Sequence, residues 1–341
     1  MDLALSTEET ELEAAAAALL AKESPAERVR AAEGTGFDPV LWKALRGLGV
    51  PGLAAGPGAA TALQLTLITE QAGRALASAP VVETLAAARV LAACGGPDAA
   101  ELLRECEAGS VATLALRPVS GGRAALVPAG SVADVVLYHD GLALRAAQAV
   151  PPPIAPNLGC LPLADRFLPD GPGLPALAGG ERAVALFEDG RRDWQLLTAA
   201  QLVGVAARAL ELGVGYVRER EVFGRPVATF QTVAHRLADH ATGVDGARLL
   251  VREAACAVDA GDPRGAALTA MAFCFAGELA VAVAGDSLHF HGGYGFSREY
   301  DIQLYYRRAQ ALPLVWGSLQ REYQRLADLL HGPAAGKDAS A

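Results

Sequence analysis

The chain has 341 residues, 52% of them hydrophobic and only 20% charged, with a formal charge of −9. That length exceeds one ordinary core, so two or three packed units are expected. The acidic balance leaves no basic stripe for a phosphate backbone and argues against a nucleic-acid partner.

The N-terminus runs from Met1-Asp2 into Glu8, Glu9, Glu11 and Glu13. This is the reverse of the basic start of an export signal, and a cytoplasmic location is expected. The five cysteines, Cys94, Cys106, Cys160, Cys256 and Cys274, show no C-x-x-C spacing and read as buried small hydrophobes. From Thr7 to about Glu107 the periodicity is helical, in Ala-rich stretches 12–21, 63–77 and 81–94 separated by Gly and Pro breaks at 49–58 and at Gly95-Gly96-Pro97. Between Val111 and about Phe187 short β-branched or alternating runs take over: VATLALR, AALVPAG, VADVVLYHD, LALRAAQAV and RAVALFED. Pro151-Pro152-Pro153 and the span 169–180 are too rich in Pro and Gly to hold ladder bonds and read as loops. After Asp193 helices resume, over 195–220, 230–260, 263–288 and 318–330, and the small polar tail from Gly332 reads as frayed. The apolar run 266–284 is interrupted by Glu278, so no membrane segment is expected.

The fold class is therefore mainly α with a small β domain. The expected divisions are a helical domain over 1–108, a shortened β domain over 109–188, a helical bundle over 189–331 and a flexible tail over 332–341.

The segment 216–239, YVREREVFGRPVATFQTVAHRLAD, joins an arginine to a helix break and a second amphipathic run. Downstream stands His289-Phe290-His291-Gly292-Gly293-Tyr294-Gly295-Phe296. The two motifs, in this order, resemble the acyl-CoA dehydrogenase family, with its R-x-x-F-G turn (Arg220 to Gly224) and its Gln-x-x-Gly-Gly-x-Gly-Tyr element. The resemblance covers nearly the whole chain. It implies a helical domain, a β-barrel-like middle domain and a C-terminal four-helix bundle that forms a tetramer core. It also implies an FAD lying between one subunit's β domain and a neighbour's last domain. Arg220 would reach the pyrophosphate, and Phe223, Phe230-Gln231, His289, Gly292 and Gly293 would lie against the same cofactor. Ser318 and Gln320 would contribute as well. Gly292 and Gly293 let backbone amides approach a ligand without a Cβ in the way. His291 reads as structural, and the His289/His291 spacing makes a poor metal site, so no metal is expected.

The family reaction removes the proton alpha to a thioester carbonyl while hydride leaves the beta carbon, and a carboxylate is the base. The resemblance places that glutamate at one of two positions, and here they hold Trp316, in Val315-Trp316-Gly317-Ser318-Leu319-Gln320, and Trp194. An indole accepts no proton from a carbon acid. Other acids could substitute: Asp193 beside Trp194, Glu299 or Asp301, whereas Gln201 carries an amide. The family's ring-binding Thr-Glu-Pro-x-x-Gly-Ser-Asp loop is matched only by Leu116 to Arg123, with the hydroxyl and acidic positions lost, and no Trp-Ile-Thr follows. The implied reading is a base-lacking subunit of an alpha2-beta2 acyl-CoA dehydrogenase, its FAD bound by or shared with a partner. The implied partners are an acyl-CoA substrate, a second acyl-CoA dehydrogenase subunit or further copies of itself, and an acceptor like electron-transfer flavoprotein. Two alternatives remain open: a self-sufficient flavin dehydrogenase with Asp193 as a relocated base, and a non-catalytic scaffold.

Overall fold

The computed structural model describes residues 4–56, 58–119, 121–171 and 173–332. The tail expected to fray, apart from Gly332, lies outside the described residues, as does Ser120 of the loop 116–123. Six helices come first: α1 (Thr7–Glu23), α2 (Ala26–Ala31), α3 (Pro39–Gly47), α4 (Ala62–Arg74), α5 (Val81–Cys94) and α6 (Gly96–Ala108). Their starts are written locally. Ser6 and Glu9 form a reciprocal cap on α1, Thr61 and Gln64 another on α4, and the Asp38 carboxylate accepts from the first N–H groups of α3. At the Gly95-Gly96-Pro97 break both glycines take positive φ, so one step reverses the chain from α5 into α6.

The middle unit is built from two small sheets. Strands β1 (Ala112–Leu114), β3 (Val135–His139), β4 (Ala143–Gln148) and β6 (Ala178–Gly179) form one, in the order β1-β3-β4-β6, with β1 parallel to β3. Strands β2 (Arg123–Val127) and β5 (Ala164–Phe167) form the other. Two buried arginines hold the unit together. The Arg166 guanidinium donates to the carbonyls of Gly130, Ala133 and Ala149, each at 2.9 Å. Arg145 pairs with Asp140 at 2.5 Å and donates to the carbonyls of Leu174, Pro175 and Gly171, pinning the Gly/Pro-rich span to β4.

The last unit begins earlier than its sequence pattern indicates. The RAVALFED run, expected as a strand, belongs to α7 (Gly180–Glu219), where Ala183, Leu186, Phe187 and Gly190 recur at helical spacing on a buried face. A hairpin of β7 (Glu221–Val222) and β8 (Arg225–Pro226) leads to α8 (Gln231–Asp259), α9 (Gly265–Phe290), α10 (Ile302–Trp316) and α11 (Leu319–His331). Helix α10 was not expected. It carries Pro313, yet Ile302, Tyr305, Ala309 and Leu312 form a continuous buried face. Helices α7 and α9 are each long and apolar enough to cross a membrane, but 67% and 61% of those stretches are buried within the fold. They are the bundle core, and α4 meets α7 there backbone to backbone. A Cβ on Gly73 or Gly204 would lie 1.9 Å from the carbonyl oxygen of Gln201 or Glu70.

Burial would raise the Asp140 carboxyl, but the Arg145 hydrogen bond and the N–H groups of Ala143 and Leu142 outweigh it and hold it at about 2. A carboxyl depressed by folding stabilises the native state above its ordinary pKa of 3.8, and that stability is lost as pH falls toward 2. Asp140→Asn leaves Arg145 buried without its anion and is expected to cost roughly 3 kcal/mol in urea unfolding at neutral pH. The deficit should shrink between pH 4 and pH 2 in the same titration.

Candidate functional site

Helix α7 sets the geometry because its two ends carry different chemistry. At its C-terminus the Tyr216 ring stacks on His291 with centroids 4.0 Å apart, tying α7 to the end of α9, and Tyr300 meets both rings edge-on. The His291 Nδ1 lies 2.7 Å from the Ser287 carbonyl, which only accepts, so Nδ1 carries the proton. Burial pushes this imidazole below its ordinary pKa, partly offset by that bond. Four residues beyond Tyr216, Arg220 closes the helix. Despite Glu219 and Glu221 beside it, its guanidinium has no hydrogen bond or ion pair among the described residues. The β7–β8 turn puts both Phe223 (φ 55°) and Gly224 (φ 74°) in the left-handed region, a tight two-residue hairpin with Phe223 at its tip, 90% exposed. The Arg225 guanidinium covers the Phe230 ring at 4.2 Å. Gln231 then opens α8, whose first N–H groups receive no side-chain cap. Gly292 has φ 61°, no atom lies within 4 Å of a would-be Cβ on Gly292 or Gly293, and His289 is exposed beside them. One end of the bundle thus displays an unpaired fork-shaped cation, an uncapped helix start and open glycines, a set suited to a pyrophosphate.

The other end is aromatic. Trp194, 1% exposed, stacks on Trp316 with centroids 6.0 Å apart and planes within 10°, and Phe273 flanks both. The Trp316 indole N–H donates to Glu322 at 2.7 Å, and Gln195 and Arg325 donate to the other oxygen of that carboxylate at 2.7 and 2.9 Å. Arg191 lies over the Trp316 face at 4.8 Å. From the β unit, Arg117 donates to the Trp316 carbonyl at 3.1 Å, bridging the loop 116–123 to the α10–α11 turn. The Trp194 N–H approaches the Glu83 carboxyl without reaching hydrogen-bond geometry, and burial pushes Glu83 up.

Asp193, expected as a relocated base, does not face the indoles. One residue from Trp194 on the helix it points toward α5, where Arg89 donates to it at 2.7 Å. Burial pushes its carboxyl up against the pull of Arg89, and it lines a cavity of about 380 Å³ with Arg89, Asp189 and Arg192. Asp301 pairs with Arg30 at 2.6 Å, and Gln201 sits in the α4–α7 contact. Ser318 and Gln320, exposed at the start of α11, belong to the aromatic end. Trp194 and Tyr216 are 22 residues apart on one helix, about 33 Å at 1.5 Å per residue, so within this chain the aromatic end is far from Arg220 and Tyr216.

Comparison with known proteins bears on both ends. Residues 182–330 match the family model for the acyl-CoA dehydrogenase C-terminal domain. The chain is 29% identical over 330 residues to acyl-CoA dehydrogenase IpdE2 of Mycolicibacterium smegmatis, covering 94% of this chain and 98% of that one. It superposes on the ChsE4–ChsE5 complex from Mycobacterium tuberculosis with a TM-score of 0.86 at 25% identity, covering 98% of this chain and 100% of that one. On the steroid ACAD Tcur3481–Tcur3483 the score is 0.84 at 28% identity, covering 95% and 97%. Over nearly its whole length this chain is similar to acyl-CoA dehydrogenases, and its residues 182–330 match that family's C-terminal domain.

The two ends differ in how they fit the FAD that this similarity implies. The Arg220 end fits, since its cation is uncommitted and its glycines are open. The aromatic end does not: Arg117 occupies the ring-loop position and bonds to the Trp316 backbone, and the indoles fill both base positions. Glu322, Glu83 and the bridging role of Arg117 were missed in the sequence because only tertiary contact defines them. Glu322→Ala leaves the buried Gln195 amide and the part-buried Trp316 and Arg325 donors without their carboxylate and is expected to cost roughly 2 kcal/mol in urea unfolding, with a shift in tryptophan emission.

Proposed function

We propose that this chain is the base-lacking subunit of a heteromeric acyl-CoA dehydrogenase. Its Arg220 end completes the FAD site of a partner subunit, and the partner supplies the carboxylate base. When bound there, FAD takes up the hydride from the beta carbon of the acyl-CoA, and an acceptor like electron-transfer flavoprotein reoxidises it. This chain's part is to bind and orient: the Arg220 guanidinium neutralises the pyrophosphate, while Phe223, Gln231, His289, Gly292 and Gly293 shape the surface around it. Ser318 and Gln320, exposed at the start of α11, lie at the aromatic end.

The observation that carries the reading is that both base positions hold stacked indoles, while the nearby acids Asp193 and Glu322 are committed to Arg89 and to Trp316, Gln195 and Arg325. One structural neighbour is the ChsE4–ChsE5 complex, which supports the same reading.

Expressed alone, the chain should be colourless and inactive. Co-expressed with the product of an adjacent reading frame, it should yield a yellow complex. Arg220→Ala should weaken FAD retention by that complex roughly tenfold or more, the scale of a lost charge-assisted bond, as read by ultrafiltration and flavin absorbance. Unchanged retention would favour a scaffold. Turnover by the chain alone, abolished in Glu83→Gln, would favour a self-sufficient enzyme using the buried Glu83 carboxyl.

A further inference from the structure

We propose that Cys160 is a modification site, where its sulfur exchanges with the disulfide of an anionic low-molecular-weight thiol and Arg307 and Arg308 seat the incoming group. Cys160 lies in the loop 157–161, where that loop meets the α2–α3 turn and α10. The Arg307 Nη1 approaches its Sγ at 3.8 Å. Arg307 also pairs with Glu33, while its Nε is buried without a partner. Arg308, the next residue of α10, is only 7% exposed and has no hydrogen bond or ion pair among the described residues. A buried guanidinium without an anion is costly. Burial pushes Arg308 below its ordinary pKa, and among the groups that pull it back Cys160 acts most strongly, ahead of Glu83 and Glu33. Glu33 thus answers one of the two guanidiniums that face the thiol, and no carboxylate pairs with the other.

The loop is built to hold the sulfur there. Asn157 fixes it from within: its Oδ1 accepts from the Leu161 N–H at 3.0 Å and its amide donates to the carbonyls of Ala155 and Leu161. Gly36 of the α2–α3 turn presses on it so closely that a Cβ there would lie 2.7 Å from the Pro162 nitrogen and 2.9 Å from the Cys160 carbonyl oxygen. Held from both sides, Cys160 keeps a left-handed backbone with φ of 50°. For a non-glycine residue this costs energy and persists only where the surroundings enforce it. The side chain is fixed beside the guanidiniums while the residue itself stays half-buried, within reach of a small reagent.

The other four cysteines are placed differently. Burial pushes the thiols of Cys94, Cys106, Cys256 and Cys274 up, those of Cys106 and Cys274 to about 12, and nearby carboxylates push Cys106, Cys256 and Cys274 the same way. The thiolate is the nucleophile, so reaction is directed to the cysteine that meets two guanidiniums. In the step the Cys160 sulfur, its proton given to solvent, attacks one sulfur of a symmetrical disulfide RS–SR. The bond from Cys160 sulfur to SR forms, the RS–SR bond breaks and RS⁻ leaves, so the Cys160 sulfur is oxidised as the departing sulfur is reduced. A carboxylate carried on R then supplies the anion that Arg308 lacks. None of these residues belongs to the lent FAD surface, so the test stands apart from that reading.

The purified chain is incubated at neutral pH with glutathione disulfide, which is anionic, and separately with cystamine, a cationic disulfide, and the adducts are located by peptide mass spectrometry. A single glutathionyl group per chain is expected, on Cys160, removed by dithiothreitol and absent in Cys160→Ser. Arg308→Met should lower the ratio of the glutathione disulfide rate to the cystamine rate about tenfold, the scale of a lost charge-assisted contact, with the circular dichroism spectrum unchanged. Glu33→Gln, which frees Arg307, should raise the same ratio and decides the matter where Arg308→Met does not fold. Absence of an adduct, an adduct that forms first on another cysteine, or a rate ratio that the folded variants leave unmoved would overturn the proposal.

Discussion

The parallel stack of Trp194 on Trp316 ties α7, α10 and, through Phe273, α9 at one point, and through the Trp316 N–H it also positions Glu322 of α11. Stacked indoles are large, rigid and apolar, with a single donor and no basic nitrogen. A residue pair that might have offered a carboxylate to a carbon acid instead acts as a packing wedge. The carboxylate that is present, Glu322, spends its oxygens on Trp316, Gln195 and Arg325 and is part of the wedge.

The length of α7 gives that wedge its functional meaning. One continuous 40-residue helix separates the aromatic end from the Arg220 end, and close backbone contact with α4 at Gly73 and Gly204 holds it in place. What the chain has closed at one end it has kept open at the other: an unpaired guanidinium, a rigid hairpin with an exposed phenyl ring, and glycines free of any side chain. Among the described residues the Arg220 guanidinium has no hydrogen bond or ion pair. On the proposed reading another polypeptide brings the rest of a site to these groups, with the flavin chemistry residing there.

Features with a local physical signature were legible in the sequence. Gly and Pro punctuation marked the breaks, and the change from helical to alternating periodicity marked the β unit. The R-x-x-F-G and Gly-Gly turns named the residues that the structure gathers around the ends of α7 and α9. Features set by tertiary context were not. The Ala-Val-Ala-Leu-Phe pattern at 183–187 is compatible with strand or helix, and packing of Ala183, Leu186, Phe187 and Gly190 on one face decides for helix. Pro313 hid α10 because a proline ordinarily ends a helix, although here it sits in the last turn. Asp193 looked available as a base because nothing near it in sequence reveals Arg89, which lies 104 residues away.

The account rests on one site shared between two chains, with this chain's own crevice closed to a flavin. The most direct measurement is the flavin content of the purified complex, from its visible spectrum against protein determined by amino-acid analysis. One FAD for every two polypeptides agrees with the account; one FAD for every polypeptide contradicts it.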